Sequence, residues 1–392
     1  MNMTTKKDIF VRYLNEYLKA SKERKGEILD NICDVVQIHR KAAVRKFRHL
    51  QLKGNSLPEE RGRKVFYTPD SIAALRTIWE AASEICGELL YPIISDYAKI
   101  LQRDKMWEHS DAATKKLLLM SEATVKRRIS FFTKARHRRQ GISATKPSRL
   151  KEIIPIFTGP WADKPAGYGQ VDTVVHCGSS LLGNMIFSVN YTDVATLWVS
   201  FNAQWNKGEK ATKESLQRIK KKVPFVIQGI HSDTGSEFIN YNLKTWCDEE
   251  RIEMTRSRPS HKNDNAYVEQ KNGHVLRRFL GYSRLDDPEL VVVVNRLYDK
   301  LELYLNHFVP SRKCSAKVRI GSKYKKKYDP AKPAYRRVLE HPQIDPAVKA
   351  KLKREHDQFN PLILKREIDK MIDEIFKKQR DYRIANSEQK SN

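Results

Sequence analysis

Three carboxylates are set apart by their surroundings. Asp172 lies inside the β-branched run Tyr168–His176. Asp233 closes the apolar run Phe225–Asp233 just ahead of a glycine-containing turn, and Glu269 falls one helical turn beyond Asn265. A carboxylate within an apolar strand is costly unless it is paired or holds a metal. Three acids brought together without a cysteine suit hard cations, so Mg²⁺ or Mn²⁺ is expected rather than Zn²⁺. Two such ions about 3.5–4 Å apart clamp both oxygens of an in-line phosphoryl displacement. His231 shares the strand face of Asp233, two residues on, and Asn265 shares the helix face of Glu269. His231 is placed either to orient the site or touch phosphate or to pack as a hydrogen-bonded ring, and Asn265 either to hold a metal-bound water or the scissile phosphate or to cap the helix.

The elements that must position these groups alternate in period. Strands are expected at 168–176, 185–193 and 197–203, joined by short loops as an antiparallel meander. A helix over 210–222, a strand over 225–233, a helix over 236–250, a strand over 252–257 and a long helix over 264–282 follow. This order resembles the ribonuclease-H-like fold, whose chemistry places one acid in the first strand, one at the end of the fourth and one on a following helix. The segments His231-Ser232-Asp233-Thr234-Gly235-Ser236-Glu237-Phe238 and Asn263-Asp264-Asn265-Ala266-Tyr267-Val268-Glu269-Gln270 resemble the core motifs of retroviral-integrase-like DDE transposases of bacterial insertion sequences. Thirty-five residues separate Asp233 from Glu269, the interval that names the triad in that family, and 60 separate Asp172 from Asp233. Thr234 stands where the family often has Asn, which removes no ligand. The zinc-binding front domain of retroviral integrases is absent.

The resemblance implies a DNA transposase. Asp172, Asp233 and Glu269 would be catalytic and would hold two divalent ions. The enzyme would nick the ends of its mobile element, free 3′-hydroxyls and join them to target DNA without a covalent protein intermediate. It also implies double-stranded DNA as partner, a homo-oligomer of at least two copies, and a bacterial cytoplasmic, nucleoid-associated setting. A helper ATPase is a further partner that the resemblance admits.

The flanks fit that reading. The 392 residues carry a net charge of +27, divided as +14 over residues 1–150, +2 over 151–300 and +11 over 301–392. Basic flanks around a near-neutral centre point to a polyanion partner. Residues 28–48 read as helix, turn and helix, with Ala43, Val44 and Phe47 inside and Arg40, Lys41, Arg45 and Lys46 outward. A second helix-turn-helix follows Leu117–Met120, with Ser121 as N-cap and Thr124, Lys126, Arg127 and Arg128 on the recognition helix. Lys271, His274, Arg277 and Arg278 form a basic stripe beside Glu269, read as DNA contacts. The basic, aromatic segment 317–328 reads as a hairpin or arm on phosphates. Leu364, Ile368, Met371 and Ile375 form a short heptad seam that docks on the protein's own core or joins protomers.

The expected organisation is multi-domain. It comprises an all-α front of two helix-turn-helix modules (1–60 and 61–140) and a basic linker (141–154). An α/β ribonuclease-H-like core (155–310) and a basic mixed and helical C-terminal region (311–392) complete it. Five widely spaced cysteines form no CxxC pair and suit a reducing compartment. No apolar run reaches membrane-span length and no signal peptide is expected. A ribonuclease-H-like nuclease of another kind would share the acids but not need two DNA readers. A non-catalytic regulator would predict no metal-dependent cleavage.

Overall fold

The computed structural model describes residues 3–52, 66–133 and 154–391, except 158, 160, 162–163, 259–261 and 321–322. The basic segment at 134–139 and the linker up to residue 153 lie outside the described residues. Cα packing divides the chain into Met1–Val65 and Phe66–Asn392.

The first unit holds three helices, α1 (Met3–Lys19), α2 (Lys22–Val36) and α3 (Arg40–Leu52). Ser21 caps α2 through the Arg24 amide, and Gln37 ends it in a left-handed conformation. That residue turns the chain sharply, so α3 begins three residues later. Phe10, Ile28, Leu29, Ile32, Val36, Ala43 and Phe47 form the core. Val44, assigned inward by its spacing, is exposed. A stripe of Ala43, Phe47 and Leu50 already fills the space three short helices enclose.

The second unit is built on a five-stranded sheet, β1 (Tyr168–Val175), β2 (Ile186–Asp193), β3 (Val199–Trp205), β4 (Gly229–Ser232) and β5 (Glu253–Arg256). The order is β3-β2-β1-β4-β5. The first three strands are antiparallel, and β1, β4 and β5 run parallel. A mixed sheet of this order, following helices in the sequence, is compatible with a ribonuclease-H-like core. One face, with Val171, Val189 and Tyr191, packs on α9 (Glu209–Lys222) and α10 (Tyr241–Glu249). The other face, with Val174, Ile186 and Phe201, packs on α13 (Leu290–Phe308).

Helices α4 (Pro69–Ala81), α5 (Gly87–Leu90), α6 (Ile94–Arg103), α7 (Asp111–Leu118) and α8 (Glu122–Thr133) contribute to that second core. Ser121 accepts from the Thr124 amide at 3.3 Å and so caps α8. After α13 come a hairpin of β6 (Cys314–Ile320) and β7 (Lys323–Tyr328), then α14 (Ala334–Glu340), α15 (Pro346–His356) and α16 (Pro361–Ser391). Leu364, Ile368 and Ile375 of α16 are buried in the core shared with α13, so the heptad seam docks internally. Among the described residues no helix is long and apolar enough to cross a membrane.

Edge strand β3 is closed by side chains of α13. Asn306 accepts from the Val199 amide and donates to its carbonyl. Asn295 does the same for Ala203. Between them, Glu302 accepts from the Phe201 amide while Lys222 donates to the Phe201 carbonyl. At the opposite edge, the Arg256 amide donates to Pro155 and the Arg256 carbonyl accepts from Phe157.

Gly169 sits on β1 where a Cβ would overlap the buried ring of Tyr191. Gly169→Ala should therefore destabilise the second unit by about 3 kcal/mol. Denaturant unfolding checks this, and the cost should fall when Tyr191→Leu is added.

Candidate active site

Central strand β1 carries Gln170 and Asp172 on one face, and both point toward α11 (Ala266–Lys271). Gln170 is fully buried. Its Oε1 accepts from the amides of Tyr267 and Val268 at 2.9 and 3.3 Å, and its Nε2 donates to the Asp264 carbonyl at 2.8 Å. Gln170 thus satisfies backbone groups that the first turn of α11 leaves open. From the far end of α11, Asn272 donates to Asp172 Oδ2 at 2.6 Å and accepts from Asn190 at 2.8 Å. Asn272 lies three residues after Glu269, so one helix face carries both. Two ties therefore hold the helix bearing Glu269 against the strand bearing Asp172.

Asp233 follows directly on β4, the parallel neighbour of β1. Its Oδ1 accepts from the Gly235 amide at 2.9 Å, which turns the chain. Asp172 is pushed up to about 7, first by burial and then by the charges of Asp233 and Glu237. The Thr173 amide and Asn272 act in the opposite direction. Asp172 and Asp233 therefore sense one another, and Glu237 joins them. Glu269 stands exposed on α11. Among the described residues no three His, Cys, Asp or Glu side chains stand close enough together to hold an ion as they are. The oxygen donors fit a hard cation, because the crowding that raises Asp172 is what a bound cation would relieve.

His231 is buried, donates or accepts through Nδ1 with Thr255 at 2.9 Å, and packs edge-on to Trp161 at 4.7 Å. Burial lowers it to about 4, so its ring is neutral near pH 7. Asn265 is buried at the start of α11 without capping it, and neither of its side-chain polar atoms has a partner. His176 bonds Ser188 at 2.8 Å and is lowered to about 3 by burial, which is a packing role.

The expected DNA contacts divide by setting. Arg40 pairs with Asp30, Arg45 reaches the Lys41 carbonyl, and Lys46 lies 5.1 Å from the Phe10 ring centre. Lys126 pairs with Glu88 at 2.6 Å, while Arg127 on the same helix is exposed, Arg128 half-buried and Thr124 bonded to Ser121. Lys271 is lowered to about 8 by burial and by Arg337, with Ser311 at 3.4 Å. Arg277 donates to the Val175 carbonyl at 2.8 Å, and Arg278 donates to the Ser83 carbonyl.

Sequence reasoning passed over Gln170, Asn272, Glu237 and Lys207. Gln170 precedes Asp172 by the strand period of two, and Asn272 follows Glu269 by the helix period of three. Those spacings were the available signal.

No protein-family model matches the chain. The uncharacterized protein y4rM of Sinorhizobium fredii is 34% identical over 334 residues, covering 85% of this chain and 95% of that protein. The chain belongs to the y4rM family. The kinship with y4rM is far longer than the sheet, which runs from Tyr168 to Arg256, and so takes in flanking regions. Among solved structures, the HTLV-2 integrase catalytic core domain in complex with magnesium, in its dimeric form, is 14% identical. It covers 38% of this chain and 92% of its own, with a TM-score of 0.29.

Proposed function

We propose that this y4rM-family protein is a DNA transposase of the DDE type. It binds the ends of a mobile element, nicks them and joins the freed 3′-hydroxyls to target DNA. The observation that carries this reading is the placement of Asp172 on β1 within electrostatic reach of Asp233, which follows the adjacent parallel strand β4, with the helix of Glu269 tied to Asp172 through Asn272. Asp172, Asp233 and Glu269 would hold two Mg²⁺ or Mn²⁺ ions. Divalent ions held there would supply the Lewis acidity that activates the attacking oxygen and offsets charge on the phosphate.

The chain's own residues do the rest. Gln170 and Asn272 fix the helix. His231, neutral and two residues before Asp233, has an unbonded Nε2, and Asn265 presents an amide without a partner. Both are suited to a phosphate or a water near the reacting atoms. Helices α3 and α8, with Arg40, Lys41, Arg45, Lys46, Thr124, Arg127 and Arg128, would read the element ends in major grooves. Lys126, Lys271, Arg277 and Arg278 would contribute to DNA contact where their internal bonds give way. Cutting two ends together calls for a homo-oligomer of at least two copies.

The test is incubation of the protein with DNA flanking its own gene in Mg²⁺ or Mn²⁺. Discrete nicks at element ends and joined products are expected. Nicks without joining would make it a nuclease, and binding without product would make it a regulator.

A further inference from the structure

Glu237 is 2% exposed, and its two oxygens are treated differently. Oε1 accepts from the Thr173 hydroxyl at 2.9 Å and pairs with Lys207 at 2.8 Å. Oε2 is buried with no hydrogen-bond partner. A buried carboxylate oxygen left without a donor is a standing cost that an ion pair on the other oxygen does not remove. The chain makes room for this arrangement. A Cβ on Gly235 would overlap Glu237 Oε2 and lie 2.9 Å from Asp233 Oδ1, so only glycine lets both carboxylates approach that point. Glu237 also acts on Asp172 electrostatically. Lys207 comes from the segment between β3 and α9, is partly exposed, and has a flexible stem that can carry its ammonium out to water.

We infer that Glu237 is a fourth carboxylate of the Asp172–Asp233 cation site and that Lys207 is its displaceable counter-cation, released when a divalent ion enters. This rests on the reading of that site as a divalent-ion site. An ordinary buried ion pair would give Lys207 no bearing on metal affinity. A competing internal cation lowers it.

Mn²⁺ titration of the full chain by calorimetry separates these cases without reference to activity. Glu237→Gln should weaken Mn²⁺ binding about tenfold or more, as loss of a carboxylate close to the ion does. Lys207→Gln should tighten it about threefold, the scale of one partly screened charge. Combined with Glu237→Gln, it should add nothing. If Glu237→Gln does not fold, Glu237→Asp withdraws the carboxylate by one methylene and reads the same contact. Unchanged affinity in the Glu237 variants, or weaker binding in Lys207→Gln, overturns the inference. Asp172→Asn separates that failure from failure of the site itself. If Asp172→Asn abolishes binding while Glu237 variants bind normally, the site stands and only Glu237 is removed. If the wild type takes up no Mn²⁺, both readings fall.

Discussion

Glu269→Gln and Asp172→Asn should each lower DNA nicking and joining by about 10³-fold or more while leaving DNA binding intact, as expected for groups that act as one unit. The two changes are nearly isosteric, so the loss is one of charge. Glu269 is exposed, and its replacement should leave the unfolding midpoint where it was. Asp172 is different, because its carboxylate is half-buried and feels the charges of Asp233 and Glu237. Asparagine keeps an oxygen for the Thr173 amide, which donates at 2.7 Å, and removes one of three crowded charges. Its amide nitrogen would face the Asn272 donor and lose that 2.6 Å bond, so relief of charge and the lost bond should roughly cancel and leave the metal-free Asp172→Asn protein within about 1 kcal/mol of wild type. A gel assay of element-end DNA, run beside thermal unfolding of the same preparations, checks both halves. Loss of product together with loss of stability in Asp172→Asn would point to misfolding instead.

Gln170→Leu should be the most damaging change at a residue with no direct part in the chemistry. It keeps the volume but strands the Asp264 carbonyl and the amides of Tyr267 and Val268. Each buried polar group left unpaired costs about 1–3 kcal/mol, so a total of about 3 kcal/mol or more is expected from the three. The start of α11 would then drift from β1, and a shift of about 1 Å at a reacting group can cost about 100-fold in rate. Gln170→Glu keeps the acceptor for the two amides and loses the donor to Asp264, and should fall between. Thermal unfolding and the nicking rate, measured together, should rank the three proteins as wild type, Glu and Leu. Equal rates at a lowered stability would separate the cap from the position of Glu269.

These two sites also mark how far the sequence could be read. The β-branched runs located β1, β2 and β3 closely because burial on both faces leaves few alternatives to a strand. The run at 225–233 shortens to Gly229–Ser232, since Val226 is largely exposed and Pro224 precedes it. The helix placed at 236–250 starts instead at Tyr241, because Asn240 caps it through the Leu243 amide. The long helix at 264–282 is in fact a 3₁₀ turn, α11, a π-helical stretch at Asn272–Leu276 and α12 (Arg277–Leu280). Hydrophobic period gives no sign of that break. It arises where Asn272 is drawn to Asp172 and Asn190, a tertiary demand invisible to local pattern. Asp172 and Asp233 are visible because charge in or at the end of an apolar strand is conspicuous, and Glu269 through its spacing from Asp233 in the motif. Glu237 is not, since an acid four residues beyond another in a polar turn looks like any solvated one.

The closed rim of the sheet limits how copies of this chain can meet. Exposed strand edges are the usual template on which a second chain adds a strand of its own, and such addition has no natural end point. Along β3 the outward amides and carbonyls of Val199, Phe201 and Ala203 are already engaged by side chains. On the other rim β5 is four residues long, and its last residue is bonded to Pro155 and Phe157. Any assembly of these molecules must be joined through contacts elsewhere than along β3. Its size is then fixed by the symmetry of those contacts, and open-ended ribbons through β3 are ruled out by the same bonds that hold α13 in place.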